Sequence, residues 1–380
     1  MLYQSTYQAA KIAAPELESH FLYHIHQAEL NQETDLATGP SGKVIETIID
    51  VAFWASLRRE EGHSPRISLA FLSPEQAGNP LIFNKRLDLN PITLTKLAPG
   101  VERAGIHLGV WVENDELYIW GTTISIPNYC FVLDVPEPGL LVIKHRRIYG
   151  FGKFTNVALI KGEEVKIINE DSAALPDSPQ ILNSLLGYSS ASLRNDAVNV
   201  LIQMAVSMRA HGHGGCLLIV PNSGSNWEDS IVHPMQYAVI PAFKALADLV
   251  KQDGNGISES LWLSTLRKEV DNIAGLSAID GATIINEDYE LLAFGAKITR
   301  SDGNQQVKRI AFIEPIVGGA EKMVYPGQLG GTRHLSAAQF VYDQQDCLAL
   351  VASQDGNFTV FSWSPHRNMV QAHRIESLLI

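Results

Sequence analysis

At 380 residues, with 46% hydrophobic, 18% charged and 8% aromatic residues, the chain has the make-up of an ordinary folded protein, which excludes disordered and fibrous classes. That length suits two domains better than one core. The 29 Lys and Arg against 41 Asp and Glu leave a formal charge of −12, which opposes non-specific attraction to DNA, RNA or an anionic membrane but not a small nucleotide at a local Arg- and Gly-rich site.

The first periodic segment runs over 15–26, where Leu17, Phe21, Leu22 and Ile25 recur at helical spacing. Gly39-Pro40-Ser41-Gly42 breaks the chain, and a second helix is predicted over 43–60 with Val44, Ile45, Ile48, Ile49, Ala52 and Phe53 on its buried side. From Arg66 the pattern turns to short β-prone runs at 67–72, 109–112, 116–120, 130–134, 140–144, 156–160 and 165–168, separated by turn residues. The polar stretch 169–178 is the expected domain edge, giving an N-terminal α+β domain over 1–172, of no assigned role, and a second domain over 173–380.

In the second domain a helix is predicted over 193–210, then a buried strand over 216–220 stopped by Pro221-Asn222, then helices over 238–251 and 258–273. Strands follow at 282–286, 290–298 and 309–314, a short helix at 335–344, and a closing pair of strands at 348–352 and 358–363 joined by Gln354-Asp355-Gly356-Asn357. The fold class expected is α+β, with a C-terminal mixed sheet flanked by helices. No internal repeat or low-complexity tract is visible in the sequence.

Cys130, Cys216 and Cys347 are isolated, with no CxxC spacing, so a reducing cytoplasm is the expected compartment. Residues 1–15 lack a basic stretch followed by an apolar run, and no segment approaches the roughly 20 apolar residues of a membrane span. A cytoplasmic protein with no membrane partner is expected.

Two fragments carry chemistry: Asp280-Gly281-Ala282 at a strand entrance and Gly330-Gly331-Thr332-Arg333-His334 opening a helix. Each alone is a common turn or cap. Together they supply what a nucleoside triphosphate needs. Glycine frees backbone N–H groups, Thr332 offers a hydroxyl, Arg333 a bidentate fork and His334 a second donor, while Asp280 suits Mg²⁺ or Mn²⁺, or a ribose hydroxyl.

The order of these motifs, followed by the apolar run Ala349-Leu350-Val351-Ala352-Ser353, resembles the nucleotide-binding domain of the diadenylate cyclase (DAC) superfamily over about 193–363. The resemblance implies that Asp280 serves metal and the 3′-hydroxyl, that Gly281, Ala282, Gly331, Thr332, Arg333, His334 and Ser353 surround the nucleotide, and that two copies face each other as a homo-oligomer. Where active cyclases carry a second arginine this chain has Leu335, and Gln354 follows Ser353 where many cyclases are acidic. The run from His211 to Pro221 is similar to the Gly-Gly strand entry of a divergent branch classed as probable nucleotide sensors (DACNV-type). The resemblance therefore implies a sensor that binds a nucleotide or cyclic dinucleotide, with Mg²⁺ or Mn²⁺ accompanying it. The alternative it implies is a cyclase making c-di-AMP from two ATP.

Other features read as ordinary structure. His211/His213 and His24/His26 have His-x-His spacing without a placed third ligand. Lys144-His145-Arg146-Arg147 is a solvated basic loop, Ser223-Gly224-Ser225 lacks the spacing of a hydrolase elbow, and there is no P-loop.

Overall fold

The computed structural model describes residues 5–147, 154–174, 177–186, 196–224, 226–252 and 259–380. It divides into two units, Met1–Ile168 and Asn169–Ile380. Among the described residues there are eight α-helices and two mixed sheets, the mixed class read from the sequence.

The first unit contains α1 (Gln8–Leu30), α2 (Gly42–Ser56), β1 (Ile67–Phe71), β2 (Leu81–Asp88), α3 (Pro91–Leu97), β3 (His107–Glu113), β4 (Glu116–Thr123), β5 (Phe131–Glu137), β6 (Leu140–Arg146), β7 (Phe154–Lys161) and β8 (Glu164–Ile167). The strands lie in the order β2-β4-β3-β1-β5-β6-β7-β8, with β1 parallel to β3 and the other neighbours antiparallel. Helices α1 and α2 share one core with Ile67, Leu69 and Phe71 of β1 and Leu133 and Val135 of β5. Alternation along each strand sends Ala70, Leu72 and Val132 to the opposite face, where they pack with Trp120.

Helix α1 begins well before the predicted segment, because its buried face there is Ala9, Ala10, Ala13 and Ala14, residues too small to mark a stripe in the sequence. Of the apolar residues recurring at helical spacing, Leu22 is 51% exposed, while Leu17, Phe21 and Ile25 are buried. The entry to α1 is held by Asp50 of α2, whose fully buried carboxylate accepts from the backbone N–H groups of Thr6 and Tyr7 at 2.7 Å each and from the Ser5 hydroxyl at 3.0 Å. Removing that acceptor would orphan buried donors, so Asp50→Ala is expected to cost about 2 kcal/mol in urea unfolding, and Asp50→Asn less.

The second unit contains α4 (Gln180–Leu186), α5 (Asp196–Ala210), β9 (Gly215–Val220), β10 (Tyr237–Phe243), α6 (Ala245–Gln252), α7 (Glu259–Leu276), β11 (Ala282–Asn286), β12 (Leu291–Ala296), β13 (Ile310–Ile313), β14 (Lys322–Val324), α8 (Gly331–Asp343), β15 (Leu348–Ala352), β16 (Phe358–Ser364) and β17 (Met369–Arg374). The order is β10-β12-β11-β9-β15-β16-β17-β13-β14, with β9 parallel to β11 and β13 parallel to β17. Helix α8 lies on one face through Ala337, Ala338, Phe340 and Val341, packed on Cys216, Leu218 and Val220 of β9 and on Ala349 and Val351 of β15.

Three elements differ from the sequence expectation. The helix expected over 238–251 is instead the edge strand β10 followed by α6; a largely exposed edge strand has no alternation to reveal it, and Pro241, which has no N–H, suits an edge. The short helix expected from 335 starts at Gly331, which places Thr332, Arg333 and His334 in its first turn. The sheet does not close at β16, since β17 follows with buried Gln371 and His373, polar residues that hid it. Leu193 and Ser258, given as helix starts, lie outside the described residues, as do Pro176 and Ser225.

Candidate functional site

The pairing of three central strands assembles the site. Thr283 of β11 pairs with Leu217 of β9 in parallel, and Ala352 of β15 pairs with Gly215 of β9 antiparallel. The entrances of β9 and β11 and the exit of β15 therefore share one end of the sheet. That end collects His211 to Gly214, Asp280-Gly281 and Ser353-Gln354, which are remote in sequence.

Arg333 reaches the same place from the first turn of α8. A Cβ built on Gly214 would stand 3.0 Å from Arg333 Nη1, 3.3 Å from the Ala352 carbonyl oxygen and 3.4 Å from Gln354 Cγ. Gly214, at φ +72°, is thus the floor on which the guanidinium rests. Gln354 closes the edge by donating from Nε2 to the His213 carbonyl at 3.4 Å. Arg333 is half-buried, and among the described residues no protein group accepts a hydrogen bond from its guanidinium.

Asp280 is 89% exposed and pairs with Lys297 Nζ at 2.5 Å, so Lys297 holds its carboxyl below the usual carboxylate range, with a smaller contribution from Arg333. Arg333 and Asp280 therefore lie within each other's field. Lys297 was invisible as a site residue in the sequence. It follows Ala296, which pairs with Ala282, and only that pairing brings it beside the residue before Gly281. Gly281 has φ +117°, and a Cβ there would fall 2.4 Å from the Gly295 carbonyl carbon. Ala282 is buried strand beneath the turn.

The remaining motif residues have structural duties. His334 is fully buried; its Nδ1–H donates to the Gly330 carbonyl at 2.7 Å, Nε2 faces the Thr359 hydroxyl at 3.4 Å, and burial pushes its pKa down. A Cβ on Gly330 would stand 2.6 Å from the His334 ring, so the first glycine of the pair makes room for this histidine. Leu335 packs against the α8 core. The Ser353 hydroxyl accepts from the Asn357 N–H at 3.1 Å within the β15–β16 turn. Thr332 and Gly331 are exposed on the first turn, where backbone N–H groups and the positive end of the helix dipole are available.

His211 is committed as well. Its Nδ1 accepts from the His213 N–H at 3.1 Å, and its Nε2–H faces the Ser277 hydroxyl at 3.2 Å, which itself donates to the Ala274 carbonyl. Neither nitrogen is left for the metal reading of His211/His213. Asp280 belongs to no trio of potential metal ligands among the described residues. A single exposed carboxylate fits only a cation that arrives with a nucleotide and takes its other ligands from phosphate oxygens.

No helix among the described residues is long and apolar enough to cross a membrane. No curated protein matches the chain. A solved structure of a hypothetical membrane spanning protein from Bacillus cereus aligns over 50% of this chain and 67% of its own at 13% identity, with a TM-score of 0.27, too low to bear on fold or function. A family model, the probable sensor domain DACNV, matches residues 34–124. That stretch lies in the first unit, from the segment before α2 to the end of β4, and not around His211 to Pro221 where the sequence resemblance was drawn. What the comparisons establish is this match to a sensor-domain family over about a quarter of the chain.

Proposed function

We propose that the second unit binds the phosphate end of a nucleotide or cyclic dinucleotide, and that the chain is a sensor rather than a cyclase. The observation that carries this reading is Arg333. Its guanidinium has no acceptor among the described residues and rests on Gly214 beside the first turn of a helix, with Asp280 in its field. A planar fork next to free helix N–H groups is the donor set that phosphate oxygens satisfy. The DACNV match in the first unit supports the sensing role.

Binding is preferred over turnover because the arrangement provides one cation on α8. Leu335 is apolar and packs half-buried against the α8 core, and His334 is buried, so neither stabilises charge developing on a transferred phosphoryl group. One observation favours the cyclase reading, namely that Asp280 remains an exposed carboxylate. Incubation with ATP and Mn²⁺ separates the two: c-di-AMP as product would overturn the sensor reading.

Calorimetry against ATP, c-di-AMP and related cyclic nucleotides tests binding. Arg333→Ala is expected to weaken it about 30-fold, the loss of roughly 2 kcal/mol of charge-assisted hydrogen bonding, with little change in stability because the side chain holds no protein partner. Failure of every nucleotide to bind the wild-type chain would sink the proposal.

A further inference from the structure

The two sheets are built alike, although no repeat is legible in the sequence. In the first unit β1 is parallel to β3 and antiparallel to β5, β4 joins β3 to the edge strand β2, and β5, β6 and β7 form an antiparallel meander. In the second, β9 is parallel to β11 and antiparallel to β15, β12 joins β11 to the edge strand β10, and β15, β16 and β17 form the same meander. Six pairings recur in the same order and sense. The differences lie outside them: β13, β14 and α8 are inserted before β15, and the neighbour beyond the meander is antiparallel β8 in the first unit but parallel β13 in the second.

The equivalence can be carried to single residues. Under α8, near Arg333, the second residue of β9 (Cys216), the first of β11 (Ala282) and the fourth of β15 (Val351) form an apolar floor. The second residue of β1, the first of β3 and the fourth of β5 are Ser68, His107 and Asp134. Ser68 and Asp134 are directly paired, as are Cys216 and Val351. The first unit therefore has a polar row where the second has an apolar one, and its cation, Lys144, comes from β6.

The row is wired around one carboxylate. The only proton of Ser68 goes to Asp134 Oδ1 at 2.6 Å, so the serine oxygen accepts from His107 Nδ1–H, also at 2.6 Å. Lys144 Nζ bonds the other oxygen, Oδ2, and sits over the Phe154 ring. Ser68 and His107 are buried, while the Lys144 and Asp134 side chains are 16% and 29% exposed. This is not a Ser-His-Asp hydrolytic triad, because the serine lies between the acid and the base and its proton points at the acid.

We infer that the chain builds one fold twice, and that Lys144 and Ser68, the serine positioned by His107, form a second oxyanion-binding set in the first unit, at the place matching the Arg333 site, whose resident anion is Asp134. A small molecule bearing a carboxylate or phosphate would occupy the set only by taking the place of that side chain. The inference rests on strand pairing and on the Asp134 contacts, and does not require the second unit to bind a nucleotide.

The test uses the full chain in an Arg333→Ala background, which silences the second unit. Removing the carboxylate with Asp134→Ala leaves a half-buried ammonium and one aligned hydroxyl donor, Ser68, whose oxygen is held by the His107 Nδ1–H. At ten times its dissociation constant, acetate or inorganic phosphate is then expected to raise the melting temperature by about 4 °C. Neither anion should do so at the same concentration in the background chain or in Asp134→Ala/Lys144→Met. Rescue by acetate alone would define a carboxylate site, and rescue by phosphate a site of wider anion range. If Asp134→Ala does not fold, Asp134→Ser, which also vacates the place of the carboxylate, is read in the same way. Equal shifts in all variants, or rescue that survives Lys144→Met, overturn the inference.

Discussion

Lowering the pH from 7 to 4 is expected to cost each unit on the order of 3 kcal/mol of stability, because each buries an imidazole that stays neutral in the fold. Burial pushes His107 down to about 4 in the first unit and His373 down to about 3 in the second. For a base held below its ordinary value near 6.5, the unfolded chain takes the proton first. Stability is therefore complete above pH 6.5 and falls as the pH drops toward the folded value. His334 is shifted in the same direction and adds to the second unit. Exposed carboxylates held low by partners, such as Asp280 beside Lys297 and Asp177 beside Ser364, act in the same sense but in full solvent, where screening leaves them little weight. Urea unfolding at pH 7 and pH 4 measures the effect. His107→Gln and His373→Gln should each flatten the pH dependence by about 3 kcal/mol in their own unit, and an unchanged slope in both would refute the assignment.

The sequence carried most strands that are apolar on at least one face, and lost the exposed edge strands and β17, whose apolar Val370 and Ala372 alternate with buried Gln371 and His373. The runs at 67–72, 140–144, 282–286 and 348–352 correspond to β1, β6, β11 and β15, all heavily buried. Strands β2 and β14 escaped because an edge strand with most residues exposed has neither a run nor an alternation to read. Helix α3 was missed although Asn90 caps it and Pro91 opens it, a signal present in the sequence. For the site, residue type was legible and direction was not. Arg333 and His334 are neighbours on one helix, and the helix turn sends one to the sheet end and the other inward, which the motif cannot express. The likeness of the two sheets was hidden for a related reason. Strand pairing does not depend on side-chain chemistry, so a row of Ser68, His107 and Asp134 and a row of Cys216, Ala282 and Val351 occupy equal places without any matching letters.

Gly281 and Gly331, both written into the motifs as sources of free N–H groups, are expected to respond very differently to alanine. Both have positive φ, +117° and +68°. At Gly331 a methyl group meets nothing within 4 Å, so only the left-handed backbone is strained, at about 1 kcal/mol. At Gly281 the methyl would fall 2.4 Å and 2.6 Å from the carbonyl carbon and oxygen of Gly295 and 2.8 Å from the Ala296 oxygen. Those atoms belong to β12, whose Ala296 is paired with Ala282, so relief requires the two strands to part at the end where Asp280 meets Lys297. Backbone strain and overpacking together put Gly281→Ala at about 4 kcal/mol, several times the cost of Gly331→Ala. Chemical denaturation of the two variants measures the gap. Nucleotide titration adds a second reading: Gly331→Ala should keep its affinity within a few-fold, since alanine retains the N–H that the first turn of α8 offers. Equal stability losses in the two variants would mean that the turn before β11 is not locked against β12, and that Asp280 is not held in its place by the sheet.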